Sequence, residues 1–404
     1  MSPQICRLLT AFAFSVVPVL LAAQPDDAAL AARARAIHAR VLTLDTHIDI
    51  EPAYFTAACN YTRRLTTQAN LPKMQEGGLD AAFLAVHVAQ GPLTAAGYAD
   101  AHRQAVAKFD AIHRLAEQIA PKQVGLALTP DDVTRIAQSG RTVVVIGIEN
   151  GYPVGTELSR VREFYERGGR YMSLAHTGHN QLSDSFSGEA AGDAPNDGVS
   201  PLGRAVIAEM NRLGMMVDVS HPSRASMMQA VSLSQAPVIA SHSSVRALAD
   251  HARNLDDEQL LALKKNGGVV HIVAYAGYVK AGARSGRAPL RNATGGPATA
   301  PCPIEPPAQR PLSVEGRPGV REFVDHIDYA VKLIGIEHVG ISSDFDGGGG
   351  IEGWDSAADT FNVTLELVRR GYAEADIARL WSGNLLRVWR ENEAVASRLQ
   401  SAAK

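Results

Sequence analysis

Cysteine is scarce in this sequence. The 404 residues include three cysteines, Cys6, Cys59 and Cys302, and no two of them are close neighbours. The absence of CxxC-type spacing argues against a metal site built from thiolates. Cys6 lies at the far N-terminus, so Cys59 and Cys302 are the pair left in the body of the chain. These two could form one disulfide or remain free thiols.

An excess of charge of either sign is also missing. Lys and Arg number 39 against 42 Asp and Glu, a formal net charge of −3. This balance argues against a nucleic-acid partner. With 46% apolar and 20% charged residues, the composition is that of a globular protein long enough for one large domain or two moderate ones.

Only one long apolar run occurs, at the N-terminus. Arg7 precedes the run Leu8–Leu21, small residues follow it, and the chain becomes polar from Gln24. This layout predicts a secretory signal peptide over residues 1–23, with a retained N-terminal anchor as the alternative. The polar C-terminus offers no hydrophobic tail for a lipid anchor. We therefore expect an exported protein, periplasmic or secreted, without a stable membrane anchor, whose residues 24–404 form a single domain.

The rest of the chain alternates between strand-like and helix-like stretches after an N-terminal helix. Eight apolar runs have strand character: Val41–His47, Asp80–Val88, Thr142–Glu149, Arg170–His176, Gly214–His221, Pro237–His242, Gly267–Ala274 and His338–Asp344. Amphipathic helical segments separate them: Tyr98–Ile119, Asp131–Gln138, Leu158–Arg167, Pro201–Leu213, Pro222–Val231, Asp256–Lys265, Val320–Leu333 and Ala358–Arg370. Strict alternation predicts a parallel sheet, and eight units close a (β/α)8 TIM barrel of the α/β class. A doubly wound open sheet is the alternative.

Two long insertions interrupt this alternation. Ser183–Ser200 is rich in Gly, Asp, Ser and Ala, and Val279–Pro318 is crowded with Pro and Gly. Neither has the periodicity of a helix or a strand, so we predict long loops at the C-terminal face of the barrel. Loops of this length in a compact domain are usually functional lids or mobile segments.

His and carboxylate residues mark the ends of the predicted strands. His47 and Asp49 are two residues apart, so on an extended strand both can aim at one point past its end. Further residues of this kind end five other runs: Glu149, His176, His221, His242 and Asp344. In a barrel these ends converge on the C-terminal mouth, where active sites of this architecture lie. Imidazole and carboxylate groups suit a divalent ion such as zinc, so the pattern predicts a metal centre.

Three other polar residues are weaker candidates. His271 lies inside an apolar run, which favours a buried, hydrogen-bonded core histidine. His87 lies near the end of the second run and could line the mouth. Asp218 could support a metal ligand or serve as a buried hydrogen-bonding partner.

Seven ordered motifs carry a resemblance to a known family. The motifs DTHIDI, GIENG, RYMSLAHTGHN, MVDVSHPS, VIASHSSVRAL, RNLDDEQL and GISSDFDG fall between Val41 and Val388. In this order they resemble the renal or membrane dipeptidase family, zinc peptidases on a metal-dependent hydrolase barrel. The resemblance implies hydrolysis of free dipeptides and two zinc ions per chain, and we expect a homodimer. The sparse cysteines, the missing anchoring tail and the Pro-rich insertion depart from the vertebrate members.

The same resemblance implies a role for each matched residue. The metal ligands would be His47 and Asp49 on one zinc, His221 and His242 on the other, and Glu149 between the two. The substrate would meet His176 at its carbonyl, Arg253 at its terminal carboxylate and Asp344 near its amine. A hydroxide shared by the ions would attack the peptide bond. His176 would stabilise the oxyanion and Asp344 would pass a proton to the leaving amine.

Two other functions fit the same residues less well. A related barrel hydrolase could act on N-acyl amino acids, cyclic amides or lactones, but Arg253 and Asp344 provide partners for both termini of a peptide. An exported binding protein that has lost catalysis would have no need of five intact metal ligands. We therefore expect a zinc metallopeptidase specific for dipeptides.

Overall fold

The computed structural model describes residues 27–284, 286, 302–306 and 314–402. The predicted signal peptide, residues 1–23, lies outside these ranges, so it and the domain boundary after it remain predictions. Within the described ranges, none of the helices combines the length and the apolar character that a membrane span requires.

A parallel sheet forms the centre of the molecule. Its strands are β1 (Leu44–Asp49), β2 (Ala81–His87), β3 (Val124–Leu126), β4 (Thr142–Glu149), β5 (Gly169–Ser173), β6 (Met216–Asp218), β7 (Ile239–Ala240), β8 (Val269–Val273) and β9 (Val339–Ser342). The hydrogen-bonded order is β1-β2-β4-β5-β6-β7-β8-β9, and the short β3 pairs with β4 outside this path. A parallel bridge between Ile48 and Phe345 joins the two ends of the path. The result is a nearly closed eight-stranded barrel, which confirms the predicted fold and excludes the open sheet.

Helices cover the outside of this barrel. They are α1 (Asp27–His38), α2 (Leu71–Gly77), α3 (Ala95–Arg114), α4 (Pro130–Gln138), α5 (Ser159–Glu166), α6 (Pro201–Leu213), α7 (Arg224–Leu233), α8 (Asp257–Asn266), α9 (Ala276–Val279), α10 (Val320–Ile334), α11 (Phe361–Arg369), α12 (Glu374–Ala378) and α13 (Asn384–Ala402). Local sequence explains their ends. Helix α6, for example, begins after the N-cap Ser200 with Pro201 at its first position and ends at Gly214, whose φ is 84°.

Helix α13, which the sequence pattern did not predict, closes the N-terminal end of the barrel. Its Trp389 is buried and packs 6.1 Å from the ring of Phe83 inside the barrel. Arg387 and Asn392 of the same helix donate hydrogen bonds to the carbonyls of Gly267 and Pro237, just before β8 and β7. The barrel is therefore sealed at this end, and the opposite, C-terminal end is left for chemistry.

The pleat of β4 shows how a strand aims its last residue. Val143, Val145, Gly147 and Glu149 alternate with residues that pack against the outer helices, so this set lines the barrel interior. Because the interior set runs up to the final position, Glu149 points into the mouth.

The first insertion is not wholly irregular, and most of the second, Val279–Pro318, lies outside the described residues, so its prediction as a long loop stays a prediction. The first contains a 3₁₀ helix, Phe186–Ala191, which begins after the N-cap Ser185 and was missed because six residues are too few to show a period. The described parts of the second are anchored next to β1. Cys302 forms a disulfide with Cys59, with 5.4 Å between the Cα atoms. Of the two alternatives for these cysteines, the structure therefore has the disulfide.

Candidate metal centre and active site

The side chains that were predicted at the ends of the strands lie together at the C-terminal mouth of the barrel. His47 and Asp49 end β1, Glu149 ends β4, and His176, His221, His242 and Asp344 follow β5, β6, β7 and β9 within three residues. All are buried except His176, whose side chain is 22% exposed. Parallel strands in a ring point their C-terminal ends at one axis, so residues up to 297 positions apart in the sequence become neighbours.

Glu149 lies at the centre of this cluster. Its Oε1 atom is 2.8 Å from His221 Nε2 and 3.2 Å from His242 Nε2. Its Oε2 atom is 3.5 Å from His47 Nε2. The two oxygens of one carboxylate thus face two different groups of imidazoles. Asp49 stands on the His47 side, with 3.8 Å between Asp49 Oδ2 and His47 Nε2.

A tyrosine fixes the orientation of His47. The Tyr171 hydroxyl donates to the carbonyl of Thr46 at 3.0 Å, so its oxygen accepts from His47 Nδ1–H at 2.9 Å. This leaves the lone pair of His47 Nε2 directed into the mouth. Gly147 makes room for the tyrosine ring, since a Cβ at this position would lie 2.1 Å from it.

A serine and an aspartate do the same for His242. Ser241 donates its hydroxyl to Asp218 Oδ2 at 2.6 Å, and its oxygen lies 2.7 Å from His242 Nδ1. The serine oxygen therefore accepts from Nδ1–H, and Nε2 of His242 carries the lone pair. Asp218 is held in turn by the backbone N–H groups of Ser220 and Ser241. It thus supports a candidate ligand through Ser241.

The backbone around the mouth is strained. His221 has φ 77° and Asp344 has φ 58°, both in the left-handed region that residues with a Cβ rarely adopt. Asn150, which follows Glu149, has φ 77°. Such conformations cost roughly 1 to 3 kcal/mol each and cluster at functional sites, where the geometry of a side chain matters more than local stability.

These donors fit divalent metal ions. Within the described part of the chain, His47 Nε2 is buried without a hydrogen-bond partner, and the Nε2 atoms of His221 and His242 face each other at 2.8 Å. Buried polar atoms of this kind require an explanation, and a shared cation provides one. The ligand atoms of His47, Glu149 and His242 all lie within 4.8 Å of one another, as do those of His47, Asp49 and Asp344. The two groups share His47. Together they offer more ligands than one tetrahedral ion uses.

The protonation states of His221, His242 and Glu149 suit metal ligands as well. For His47, burial acts to lower the pKa, but the neighbouring charges of Tyr171, Glu149 and Asp49 raise it well above its usual value. Burial lowers the pKa values of His221 and His242 well below their usual range, which keeps both imidazoles neutral. Burial acts to raise the pKa of Glu149, but His176, His47 and the hydrogen bonds from the other imidazoles hold it well below its usual value. Glu149 is therefore a carboxylate near neutral pH.

Two further groups at the mouth have shifted pKa values. Burial lowers the pKa of His176 to about 4, so its imidazole is neutral and can donate one N–H. Burial, together with the charges of Asp49 and Glu149, raises the pKa of Asp344 well above its usual value. A carboxyl group whose pKa is raised in this way is a candidate for taking up and releasing a proton during the reaction.

A cavity of about 580 Å³ opens onto these residues. Its lining includes the following side chains: Asp49, His87, Gln90, Gln104, Lys108, Glu149, His176, His221, His242, Tyr275, Tyr278 and Asp344. Arg253 lies behind this wall, 2% exposed, with its guanidinium 5.7 Å from the ring centre of Tyr278. Its Nη1 donates to Ser243 Oγ and its Nη2 to the carbonyl of His242, both at 2.6 Å.

Sequence reasoning missed several of the residues that shape the site. Tyr171 and Ser241 carry no signal of their own, although Ser241 directly precedes a candidate ligand. Lys108 did carry a signal in the sequence, because it is a charged residue on the apolar face of α3. His87 does line the cavity. His271 is a core histidine, as predicted: it is buried, and its Nδ1 lies 3.0 Å from the carbonyl of Ala240.

Comparison with known proteins agrees with this geometry. The profile of the membrane dipeptidase family, peptidase family M19, matches residues 31–403. Dipeptidase aclJ of Aspergillus oryzae is 33% identical over 336 residues, which cover 82% of this chain and 72% of the relative. Dipeptidase tcpJ of Claviceps purpurea is 32% identical over 342 residues, with 83% and 72% covered.

Solved structures give the same result. The crystal structure of the probable dipeptidase PvdM from Pseudomonas aeruginosa aligns with a TM-score of 0.78 and 31% identity, covering 91% of this chain and 100% of that one. The family match spans most of the chain, and the relatives are similar over more than two thirds of their own length. The chain therefore belongs to the membrane dipeptidase family, M19, and is an enzyme of the metallo-dipeptidase class.

Proposed function

We propose that this enzyme hydrolyses the peptide bond of free dipeptides with two zinc ions bound at the mouth of the barrel. One observation carries the proposal: the two oxygens of Glu149 face separate imidazole groups, His221 and His242 on one side and His47 on the other. A carboxylate in this position would be available as a ligand to a cation on either side. Asp49 completes the His47 side.

Zinc, when bound, would supply a water-derived nucleophile at neutral pH and a Lewis acid for the peptide carbonyl. The chain itself would hold the metals through His47, Asp49, Glu149, His221 and His242. The hydrogen bonds that His47 and His242 donate to the hydroxyl oxygens of Tyr171 and Ser241 fix the inward-facing nitrogens of both imidazoles before any ion binds. This preorganisation lowers the cost of assembling the centre.

His176 is placed to act on the carbonyl oxygen of the substrate. It lines the cavity, its Nε2 lies 3.5 Å from Glu149 Oε1, and its low pKa keeps it neutral with one N–H to donate. A donor aimed at a developing oxyanion is typically worth about 3 to 4 kcal/mol of transition-state stabilisation. His176 would thus bind the carbonyl more tightly as negative charge develops.

Asp344 is placed to handle the proton. It lies beside Asp49 and His47 at the end of β9, and its raised pKa suits a group that receives a proton and returns it to the leaving amine. As a carboxylate it would also attract the free ammonium group of a dipeptide. Peptides without that group would lose this contact.

Arg253 would bind the C-terminal carboxylate of the dipeptide. Within the described residues, the guanidinium donates two hydrogen bonds, and the other three of its five N–H groups are left for a carboxylate. Its planar fork can hold both carboxylate oxygens, which a lysine could not reproduce. Because Arg253 lies behind Tyr278, substrate binding would require this tyrosine to move or the carboxylate to reach past it.

Export is part of the same proposal. The disulfide between Cys59 and Cys302 belongs in an oxidising compartment such as the periplasm or the extracellular space, in line with the leader that the sequence predicts. The intact mass of protein from its native host would show a start near Gln24. A full-length cytosolic product would contradict export.

A panel of blocked substrates tests the proposed function. The wild-type enzyme should cleave a dipeptide far faster than its C-terminal amide or its N-acetyl derivative. Arg253→Met should lower kcat/KM for the free dipeptide roughly 30-fold to a few thousand-fold, which corresponds to a loss of about 2 to 5 kcal/mol of transition-state stabilisation. The same substitution should have little effect on kcat/KM for the amide. Arg246→Met, on the same loop in an exposed ion pair with Asp250, is the matched control and should not change either rate.

Asp344→Asn makes the complementary test at the amine. It should reduce the discrimination against the N-acetyl derivative and slow turnover of good substrates. If the wild type had the same kcat/KM for the free dipeptide, its amide and its N-acetyl derivative, the enzyme would recognise neither terminus of the substrate. We would then replace the proposed specificity for free dipeptides by the broader one, hydrolysis of N-acyl amino acids, cyclic amides or lactones.

A further inference from the structure

Lys108 occupies an unusual position for a lysine. It belongs to the buried face of α3, between Ala105 and Ile112, and is only 3% exposed. What exposure remains is to the active-site cavity, whose wall it helps to form. A lysine so placed has its ammonium removed from bulk water and directed at whatever the cavity holds.

Among the residues that the structure describes, none forms a hydrogen bond or a close ion pair with this ammonium. Burial lowers the pKa of Lys108, and the negative charges of Asp49, Glu51 and Glu149 act at longer range to favour its charged form. A buried ammonium without a direct partner is costly, and proteins normally provide one. The missing partner points to an anion that arrives with the substrate.

A second unpartnered group lies on the same side of the cavity. The Nε2 atom of His87 is buried without a hydrogen-bond partner, and the charge of Lys108 acts on this imidazole. His87 ends β2, and α3 is the helix that follows β2, so the two residues share one section of the wall. In the neutral tautomer that carries its proton on Nε2, His87 offers one donor, and the ammonium of Lys108 offers another. Both donors can bind one carboxylate.

The order of strands around the barrel indicates which carboxylate this is. Arg253 follows β7, the sixth strand of the ring, and Lys108 follows β2, the second, so they lie on opposite sides of the mouth. The C-terminal carboxylate of a dipeptide held at Arg253 is therefore out of reach of Lys108. Asp49 ends β1, which is next to β2 in the ring, and Asp344 follows β9, which is next to β1. The amine end of the substrate therefore lies on the side of the mouth that carries Lys108.

We propose that Lys108, with His87, binds a carboxylate in the side chain of the N-terminal residue, so that the preferred substrates are dipeptides that begin with Asp or Glu. This inference rests on the proposed dipeptidase function and adds the substrate class. Lys108 is a specificity residue, because its contact is to a group remote from the bond that breaks.

The test compares pairs of substrates that differ only in charge. The wild-type enzyme should cleave Glu-Ala with a kcat/KM at least about tenfold above that for Gln-Ala, as expected for a charge-assisted contact. Ala-Glu and Ala-Gln, which carry the difference in the second residue, should show no comparable preference for the acid. Because each comparison is a ratio measured on one preparation, the fraction of active enzyme cancels.

Lys108→Met removes the charge and keeps the length of the side chain. It should bring the Glu-Ala to Gln-Ala ratio to one or below while Gln-Ala is still cleaved. Lys108→Arg should keep a preference for Glu-Ala. Lys122→Met, at an exposed lysine in the loop before β3, is the matched control and should leave the wild-type ratio unchanged. Replacing a buried, unpaired lysine by methionine is not expected to destabilise the fold.

Two outcomes would overturn the inference while the dipeptidase function stands. One is a wild-type ratio near one with both substrates cleaved, which needs no variant. The other is a strong preference for Glu-Ala that persists in Lys108→Met. Failure to cleave any of the four dipeptides would instead contradict the proposed function.

Discussion

Two sets of buried histidines differ in how their nitrogens are used. In the outer layers, His326 accepts from the backbone N–H of Val245 at Nδ1 and donates to the carbonyl of Val279 from Nε2. At the mouth, His47 uses only Nδ1, and its buried Nε2 has no hydrogen-bond partner. His221 and His242 point their Nε2 atoms at each other and at Glu149.

The difference shows which histidines hold the fold together and which await a ligand. A buried ring with both nitrogens bonded to the protein is complete and stabilises its surroundings. A buried ring with one nitrogen fixed from outside and the other directed inwards has the arrangement expected of a metal ligand with its supporting partner. The site at the mouth therefore costs stability that the structural histidines help to offset.

The largest expected effect comes from removing the carboxylate that joins the mouth histidines. Glu149→Ala should lower zinc content more than loss of any other single ligand, because both ions would use this residue. kcat/KM for a dipeptide should fall by roughly a thousandfold or more. Elemental analysis and a dipeptide assay on the same preparation check both effects. Glu166→Ala, at an exposed residue of α5, should change neither, and full zinc content in Glu149→Ala would contradict the bridging role.

A smaller effect is expected when only the support of a ligand is removed. Tyr171→Phe deletes the hydroxyl that accepts from His47 Nδ1–H, so zinc affinity should fall about 10- to 100-fold. The matched control is Tyr152→Phe, which deletes another hydrogen bond of a buried tyrosine, to the carbonyl of Pro92. Both variants should lose about 1 kcal/mol of stability. Competition with a chelator separates them, and equal zinc affinity in the two variants would show that Tyr171 does not support the metal.

The structural histidines predict an effect that leaves the metal centre unchanged and appears in the pH dependence of stability. Burial lowers the pKa of His271 to about 4 in the folded protein, against about 6.5 when unfolded. Below pH 6.5 the unfolded chain binds a proton that the folded chain does not, so His271 lowers the free energy of unfolding as pH falls towards 4. The loss is at most roughly 3 kcal/mol.

His271→Gln should remove this part of the pH dependence. Denaturant unfolding of both proteins with a chelator present, at pH 7 and at pH 4.5, gives the comparison. The variant should lose less stability between the two pH values than the wild type does. An identical loss in both would show that His271 titrates in the folded protein much as it does in the unfolded chain.

The sequence could predict the barrel and the strand-end residues because both follow from local order. An apolar run that ends in a His or a carboxylate, such as the one that ends at Glu149, fixes the strand and the position of its last side chain together. Helix α13 was missed because its buried face is set by packing against the base of the barrel. In the sequence the end of this segment, from Glu391, is polar, although Leu385, Val388, Trp389 and Val395 recur at helical spacing.

The supporting residues could not be predicted, since they depend on which strands are neighbours. Tyr171 reaches His47 across the barrel interior through the space that Gly147 leaves, and no pattern within β5 contains this fact. Lys108 is the exception. A lone lysine on an apolar helix face is visible in the sequence, and its meaning appears only when that face is seen to border the cavity.

The zinc content of the intact enzyme tests the central claim most directly. Protein purified without chelators, reconstituted with zinc and freed of excess metal should contain two zinc ions per chain by elemental analysis, because His47, Asp49, Glu149, His221 and His242 exceed what one tetrahedral ion uses. A content that stays at one ion or fewer per chain after reconstitution, in enzyme that cleaves dipeptides, would contradict the binuclear centre.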